Sequence, residues 1–249
     1  MIYQRDCKLI NAIIPARYGS KRVKTKNLAL VGNHPLIAYS IEACKLSNNI
    51  DRVIVSTESQ IIADVALKYG AEVPFLRPDK YSQDNSSDFG FINHFFKNIG
   101  GDIAVLIRPT SPHRNPMIID RSIEEYFSIL NSDNSVTGFR TMSECSHTPY
   151  KMMKIDNDKI ASGFFDSYNG DKNYTNLPSQ TFPKSYKPNG YVDMIQRETL
   201  KSNTVFGNKI YSKITDEIVD IDNQYDLDVA NFLVGTKYDF LSVHLDKII

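Results

Sequence analysis

Short apolar runs alternate with helix-period stretches along the first half of the chain. Residues 9–14, 52–56, 71–76 and 103–107 are brief apolar runs bounded by polar or turn residues, the pattern of buried strands. Between them, residues 36–46 carry Leu36, Ile37, Ser40, Ile41, Ala43 and Cys44 at helical spacing, a face that makes Cys44 core rather than nucleophile. Residues 61–69 repeat that period up to Gly70, a helix stop. Gly32-Asn33-His34-Pro35 reads as a turn with Pro35 at the first helical position and His34 in a turn role. Residues 89–98 and 117–130 are further predicted helices, and 135–140 a fifth strand. Strand alternating with helix implies parallel strands joined by helical crossovers, hence an α/β fold.

Beyond residue 140 the pattern changes. Residues 141–188 contain Pro149, Pro178, Pro183 and Pro188 among many Asn, Ser, Lys and Tyr. A structureless loop of that length does not suit a compact unit. It is expected to be an excursion, either with a partner of its own or as a lid on the same subunit. Phe164, Phe165, Tyr168 and Tyr174 are its candidate apolar anchors. Residues 191–195 then read as a strand returning to the sheet, 197–200 as a short helix, 209–211 as a short strand and 225–234 as a last helix.

The first strand runs into a basic loop. Pro15 and Gly19 break the regular backbone, and Arg17, Lys21, Arg22, Lys24 and Lys26 follow within ten residues. Backbone N–H groups and flexible cations on such a loop suit the oxygens of a polyphosphate. The competing reading is a solvated basic surface. Position favours function, because ligands of open α/β sheets bind at the carboxyl ends of the strands. The loop has neither the Gly-x-x-x-x-Gly-Lys-Ser/Thr spacing of a P-loop nor Gly-x-Gly-x-x-Gly, so a P-loop kinase and a dinucleotide-dependent dehydrogenase are not favoured.

Three later stretches also carry chemistry. After the third apolar run, Arg77-Pro78 leads the polar residues Asp79, Ser82, Gln83, Asp84, Asn85, Ser86, Ser87 and Asp88, more than helix capping requires. After the fourth, Arg108-Pro109-Thr110-Ser111-Pro112-His113-Arg114 has two prolines that fix the backbone, so it is either a rigid ligand loop or a stiff connector. In Ile218-Val219-Asp220-Ile221-Asp222 a strand would point both carboxylates to one face, where they need a cation or the rim. With a phosphate loop elsewhere, magnesium is the economical partner. The alternative is Asp222 as an N-cap of the last helix.

Together these motifs resemble the acylneuraminate cytidylyltransferases. The resemblance rests on Ala16-Arg17-Tyr18-Gly19-Ser20-Lys21 with Lys26-Asn27, on Arg77-Pro78 with Asp84, Ser86 and Ser87, on Pro109-Thr110-Ser111-Pro112 with Arg114, on Pro188-Asn189-Gly190, and on Asp220-x-Asp222 with Asp226-Leu227. It covers residues 9–234. The chain departs from the pattern at Asp88, where a further Ser is frequent, at Arg108, where Gln is frequent, and at Lys187, where Arg stands and whose planar fork is lost. The resemblance implies a three-layer α/β/α sandwich of Rossmann-like nucleotidyltransferase fold, with a mixed, mainly parallel sheet and a protruding dimerisation arm at 141–188. The expected organisation is one domain over residues 1–249.

The implied reaction joins CTP and an acidic nine-carbon sugar to give the CMP-sugar and pyrophosphate, with Mg2+ as cofactor. Ala16, Arg17, Ser20, Lys21, Lys26, Asn27, Arg77, Ser86 and Ser87 are the implied nucleotide contacts. Arg108, Thr110, Ser111, Lys187 and Asn189 are the implied sugar contacts, Asp220 and Asp222 the metal ligands, and Arg17, Lys21 and Asp222 the catalytic set. A related nucleotidyltransferase acting on Kdo or a sugar phosphate is the near alternative. A catalytically silent nucleotide-binding protein of the same fold is the distant one.

Composition agrees with an enzyme of this kind. Lys plus Arg (29) balances Asp plus Glu (29), which argues against a dedicated nucleic-acid binder. Cys7, Cys44 and Cys145 are too scattered for a metal site or a disulfide framework, which fits a reducing cytoplasm. Residues 1–8 lack the apolar core of a signal peptide, and no apolar run approaches the ~20 residues of a membrane span.

Overall fold

The computed structural model describes residues 9–248. The expectation for residues 1–8 therefore lies outside the described residues, as does Cys7. Strands β1 (Asn11–Pro15), β2 (Arg52–Ser56), β3 (Ile103–Leu106), β4 (Gly138–Glu144), β5 (Tyr186–Gln196) and β6 (Ile210–Ile214) form one six-stranded sheet in the order β6-β4-β5-β3-β1-β2. β1 is parallel to β2 and β3, and β4 is parallel to β6. β5 pairs antiparallel with both β3 and β4, so it alone runs against the sheet.

Side-chain alternation along the strands divides the core. Ala12 and Ile14 of β1 face one cluster, which also takes residues from α1 (Leu36–Lys45), α2 (Gln60–Lys68), α4 (Pro116–Ser132) and α5 (Gln224–Leu233). Ile13 faces the opposite cluster with Ile54, Ala104 and Leu106. There α3 (Asp88–Ile99) buries Phe91, Ile92, Phe95 and Phe96, each contributing about 1.5–3 kcal/mol. The result is the expected three-layer arrangement with a mixed, mainly parallel sheet.

Several expected elements differ, each for a local reason. Residues 71–76 make only an isolated bridge, Ile54 to Glu72, because Pro74 cannot donate to a ladder. The fifth strand starts at Gly138 rather than 135, since Asp133 accepts hydrogen bonds from the Ser135 backbone and hydroxyl and holds a turn there. β5 begins at Tyr186, five residues earlier than expected, because its first residues pair with the end of β4. Pro35 precedes α1 as its N-cap and does not start it. The N-cap of α5 is Asn223, which forms a capping box with Asp226, so Asp222 does not cap the helix. His34 is buried between the Tyr69 hydroxyl (3.1 Å) and Asp246 (2.8 Å), fastening the chain's last helical turn to α1.

The excursion is shorter than 141–188. Glu144 pairs with Tyr186 and the Cys145 N–H donates to the Ser185 carbonyl, so the sheet continues up to those residues. Residues 146–184 carry a small hairpin, Met153–Ile155 with Ala161–Gly163, and an aromatic cluster of Tyr150, Phe165, Tyr168, Tyr174 and Phe182. Tyr174 is buried inside that cluster and is not an outward anchor, whereas Phe164, Phe165, Ile155 and Ile160 are exposed. Among the described residues no helix is long and apolar enough to cross a membrane.

Cys44 is fully buried in α1, and burial pushes its thiol up to about 12. A thiolate reagent at pH 8 should leave Cys44 unmodified in the folded protein and label it fully in denaturant, as read by peptide mass mapping. Labelling of Cys44 at the rate of a free thiol without denaturant would contradict this packing.

Candidate active site

The basic loop leaves the carboxyl end of β1, where Ala16 is buried and its N–H still donates to the Ser56 carbonyl of β2. The loop is then tied down by side chains. Asn27 donates to the Arg17 carbonyl at 2.8 Å, closing residues 17–27 into a compact turn. The Tyr18 N–H donates to Glu58 at the end of β2 (2.7 Å).

The cations of the loop meet two carboxylates. Arg17 (2.8 Å) and Lys21 (2.5 Å) both reach Asp84. The hydrogen bond from Lys21, followed by that from Arg17, holds the Asp84 carboxyl below its ordinary range. Lys26 (3.3 Å) and Arg22 (3.5 Å) reach Asp222, and Lys26 also donates to the Ile221 carbonyl at 2.6 Å. Lys24 is exposed.

Two adjoining cavities open between these clamps. One, of about 640 Å³ with its mouth, is lined by Ser20, Lys21, Arg22, Lys26, Asn27, Thr110 and Asp222 among others. The second, of about 620 Å³, is lined by Arg77, Tyr81, Asp84, Ser86, Asp88 and Phe91 among others. Pro15, Arg17 and Arg108 line both, so they form the wall between two halves of one cleft.

In the second half Arg77 is buried, donating to Glu58 (3.0 Å) and to Ser82 (2.9 Å) over the ring of Phe91. Burial raises Glu58, but the Tyr18 backbone and Arg77 outweigh it and hold the carboxyl below its ordinary range. Ser86 lines this half, yet its hydroxyl already accepts from the Gln83 N–H and donates to the Lys80 carbonyl.

The Pro-Thr-Ser-Pro loop is rigid for a reason beyond its prolines. Arg114 is fully buried and donates to the Ser40 hydroxyl (2.8 Å), the Arg108 carbonyl (3.0 Å) and the Gly190 carbonyl (3.1 Å), with its guanidinium over the Tyr191 ring. It thereby binds the loop to α1 and β5. Gly190 has φ +64°, and a Cβ there would lie 2.8 Å from the Arg108 Cδ, so glycine is needed for the Arg108 stem to pass. The Arg108 guanidinium pairs with Asp88.

Not every expected site residue comes to the cleft. Ser111 is buried with no hydrogen-bond partner for its hydroxyl among the described residues, and Ser87 is exposed outside both lining sets. Lys187 pairs with Glu217 at 2.5 Å and lines neither half. Asn189 spends its amide on the Ser143 and Thr215 hydroxyls and its carbonyl on the Tyr191 N–H, so it is a sheet latch. Residues 218–222 are not a strand; Ile221 is buried and its N–H donates to the Thr110 carbonyl. Asp220 is exposed, makes no hydrogen bond or ion pair among the described residues, and lies outside the lining of both halves. No cluster of three or more metal-ligating side chains exists among the described residues. Sequence reasoning missed Glu58 and the Asp88–Arg108 pair. Glu58 carried a signal, being an acid just past the carboxyl end of a strand.

The doubly wound sheet with its reversed β5, and a cationic cleft at the carboxyl ends of the strands, is the architecture of the Rossmann-like nucleotidyltransferase fold. Residues 11–162 match the family described as Cytidylyltransferase, and the chain belongs to it. The chain is 30% identical over 235 residues to the post-translational flagellin modification protein B of Campylobacter coli, covering 90% of this chain and 94% of that one. It is 31% identical over 226 residues to the N-acylneuraminate cytidylyltransferase of Escherichia coli O18:K1:H7, covering 89% of this chain and 51% of that one. A CMP-N,N'-diacetyllegionaminic acid synthase of Legionella pneumophila is 42% identical over 120 residues, covering 46% of this chain and 52% of that one. The chain thus spans about half the length of the first curated relatives it matches. Its fold is similar to a CMP:2-keto-3-deoxy-manno-octonic acid synthetase solved with CTP, at a TM-score of 0.67 and 14% identity, covering 90% of this chain and 98% of that one.

Replacing Arg114 by Ala should remove its hydrogen bonds to the Ser40 hydroxyl and to the Arg108 and Gly190 carbonyls and cost about 3 kcal/mol or more, since each charge-assisted bond contributes about 1.5–3. Urea unfolding measures it; a loss below about 1 kcal/mol would remove Arg114 as the tie of the loop.

Proposed function

We propose that this chain transfers the cytidylyl group of CTP to an acidic nine-carbon sugar and releases pyrophosphate. The observation that carries the reading is the divided cleft: two cavities sharing Arg17 and Arg108, one rich in cations and the other walled by Phe91, Arg77 and Tyr81. The names of the relatives support it, since they include N-acylneuraminate cytidylyltransferase and pseudaminic acid cytidylyltransferase.

In this reading the aromatic half takes the cytidine, with Arg77 as buried donor, and the cationic half takes the triphosphate. The anomeric hydroxyl of the sugar attacks the α-phosphate, the bond to the β-phosphate breaks, and pyrophosphate leaves. Arg17 and Lys21, now occupied by Asp84, turn to phosphate oxygens and stabilise charge as it builds in the transition state. Lys26 and Asn27 hold the loop against the α-phosphate or ribose. Thr110 and Arg108 face the sugar, and the Arg108 guanidinium suits its carboxylate.

Asp222 and Asp220 would hold Mg2+. The fit rests on Asp222, which lines the cationic half, since magnesium takes one or two carboxylates plus phosphate oxygens; Asp220, outside that lining, would be the second carboxylate. When bound, the ion neutralises phosphate charge and polarises the α-phosphate. The protein is read as one nucleotidyltransferase unit working in the cytoplasm.

Pyrophosphate release, measured with four nucleoside triphosphates and a panel of eight- and nine-carbon acids and sugar phosphates, should select CTP and a nine-carbon acid and should stop in EDTA. Lys21→Ala should lower turnover roughly a hundred- to a thousandfold with the fold intact. Best turnover with Kdo or a sugar phosphate would move the substrate assignment, and an unaffected Lys21→Ala would return the loop to a solvated surface.

The excursion supports a homodimer in which it crosses to the neighbouring cleft. Ile155, Ile160, Phe164 and Phe165 are exposed along it, although it packs an aromatic cluster of its own. Light scattering should give twice the chain mass of 28.3 kDa at micromolar concentration. An active monomer would leave the excursion as a lid on its own subunit.

A further inference from the structure

Asp88 and Arg108, two of the positions at which the chain departs from the pattern it resembles, are each other's partner across the cleft. Asp88 opens α3, where a carboxylate is favoured by the helix N-terminus. Arg108 follows β3 and lies in the wall shared by both cavities. Its backbone is held by Arg114 and its stem passes over Gly190, so the remaining freedom is in the guanidinium head.

Three carboxylates act on that head: Asp88, Asp193 and Asp220. Asp193 is fully buried in β5 and already bonded through both oxygens to Arg140 at 3.2 Å. Asp220 has no ion pair of its own among the described residues and is therefore the open competitor. The bond to Asp88 uses one terminal nitrogen of Arg108. A guanidinium has five N–H groups, so most of its donors stay free while Asp88 holds it.

We propose that Asp88 is a positioning residue, holding the Arg108 guanidinium at the shared wall and away from Asp220, with its remaining N–H groups turned to the carboxylate of the acidic sugar. This rests on the cytidylyltransferase reading above. Asp88 then acts on the sugar through Arg108, while its own place is in the wall of the half read as taking the cytidine. Asp220 is left free for a cation, and the Arg108 head at the shared wall is preset for the sugar carboxylate before substrate arrives.

A double-mutant cycle tests it. Asp88→Asn should raise KM for the acidic sugar about tenfold, the scale of one half-exposed charge-assisted contact, and should raise KM for CTP by clearly less. Arg108→Gln should raise KM for the sugar at least as much. Asp88→Asn added to Arg108→Gln should cost nothing more, and Asp88→Glu should restore part of the affinity. Additive losses, or a change in KM for CTP instead of the sugar, would overturn the proposal and make Asp88 a direct nucleotide contact. A crystal structure of the Asp88→Asn protein gives a second readout that needs no substrate. Arg108 should be turned towards Asp220 or Asp193; an unmoved Arg108 overturns the positioning role. Wild-type protein that releases no pyrophosphate from CTP with any acidic sugar would sink the functional reading instead, and the crystal structure would still decide the role of Asp88.

Discussion

The structure depends on charge balance at the carboxyl ends of the sheet. Arg17, Lys21, Arg22, Lys26, Arg77 and Arg108 converge on one cleft, and like charges at such spacing repel unless something intervenes. Asp84, Asp222, Glu58 and Asp88 intervene, each holding one or two of the cations. These pairs are half exposed or at the surface, except the buried Arg77–Glu58 pair, so most contribute little to stability. Their value is positional: they keep flexible side chains gathered where a polyanion can displace the carboxylates. A chain with net charge zero can therefore present a strongly cationic cleft.

Beneath the exposed pairs lies a fixed frame. Arg114 is buried among carbonyl and hydroxyl oxygens, Asn189 latches β5 to β4 and to residue 215, and Asn27 closes the basic loop. The terminal nitrogens of Arg114 and the amides of Asn189 and Asn27 find backbone or hydroxyl partners, as burial demands. The cleft thus combines rigid walls with exchangeable side chains, which suits a reaction that needs placement and charge neutralisation. The reversed β5 belongs to this frame. It puts Gly190 under Arg108 and Asp193 behind it, so the sheet interior shapes the field at the cleft.

Family membership changes how the departures at Asp88, Arg108 and Lys187 are read. Asp88 and Arg108 meet in space, so they form one change rather than two. Lys187 is paired with Glu217 outside the cleft, so its lost planar fork bears on β5 and the adjoining segment rather than on the sugar.

By itself, the sequence determined the alternation of strands and helices, the cationic loop after the first strand and the order of the motifs. Hydrophobic period and loop chemistry are local, and they are legible wherever neighbours in sequence decide the outcome. Tertiary structure decided what pairing decides. Residues 71–76 looked like a strand, but Pro74 denied them a ladder. Residues 218–222 looked like one and instead hang from Ile221 and the Thr110 carbonyl. Ser111, Ser87 and Asn189 belong to the motifs as written, yet burial, exposure and prior hydrogen bonds take them out of the cleft. Asp88 and Arg108 are 20 residues apart along the chain and meet only because α3 begins where β3 ends, at the carboxyl side of the sheet. A motif names the residues, but which atoms remain free to bind follows from which partners the fold has already given them.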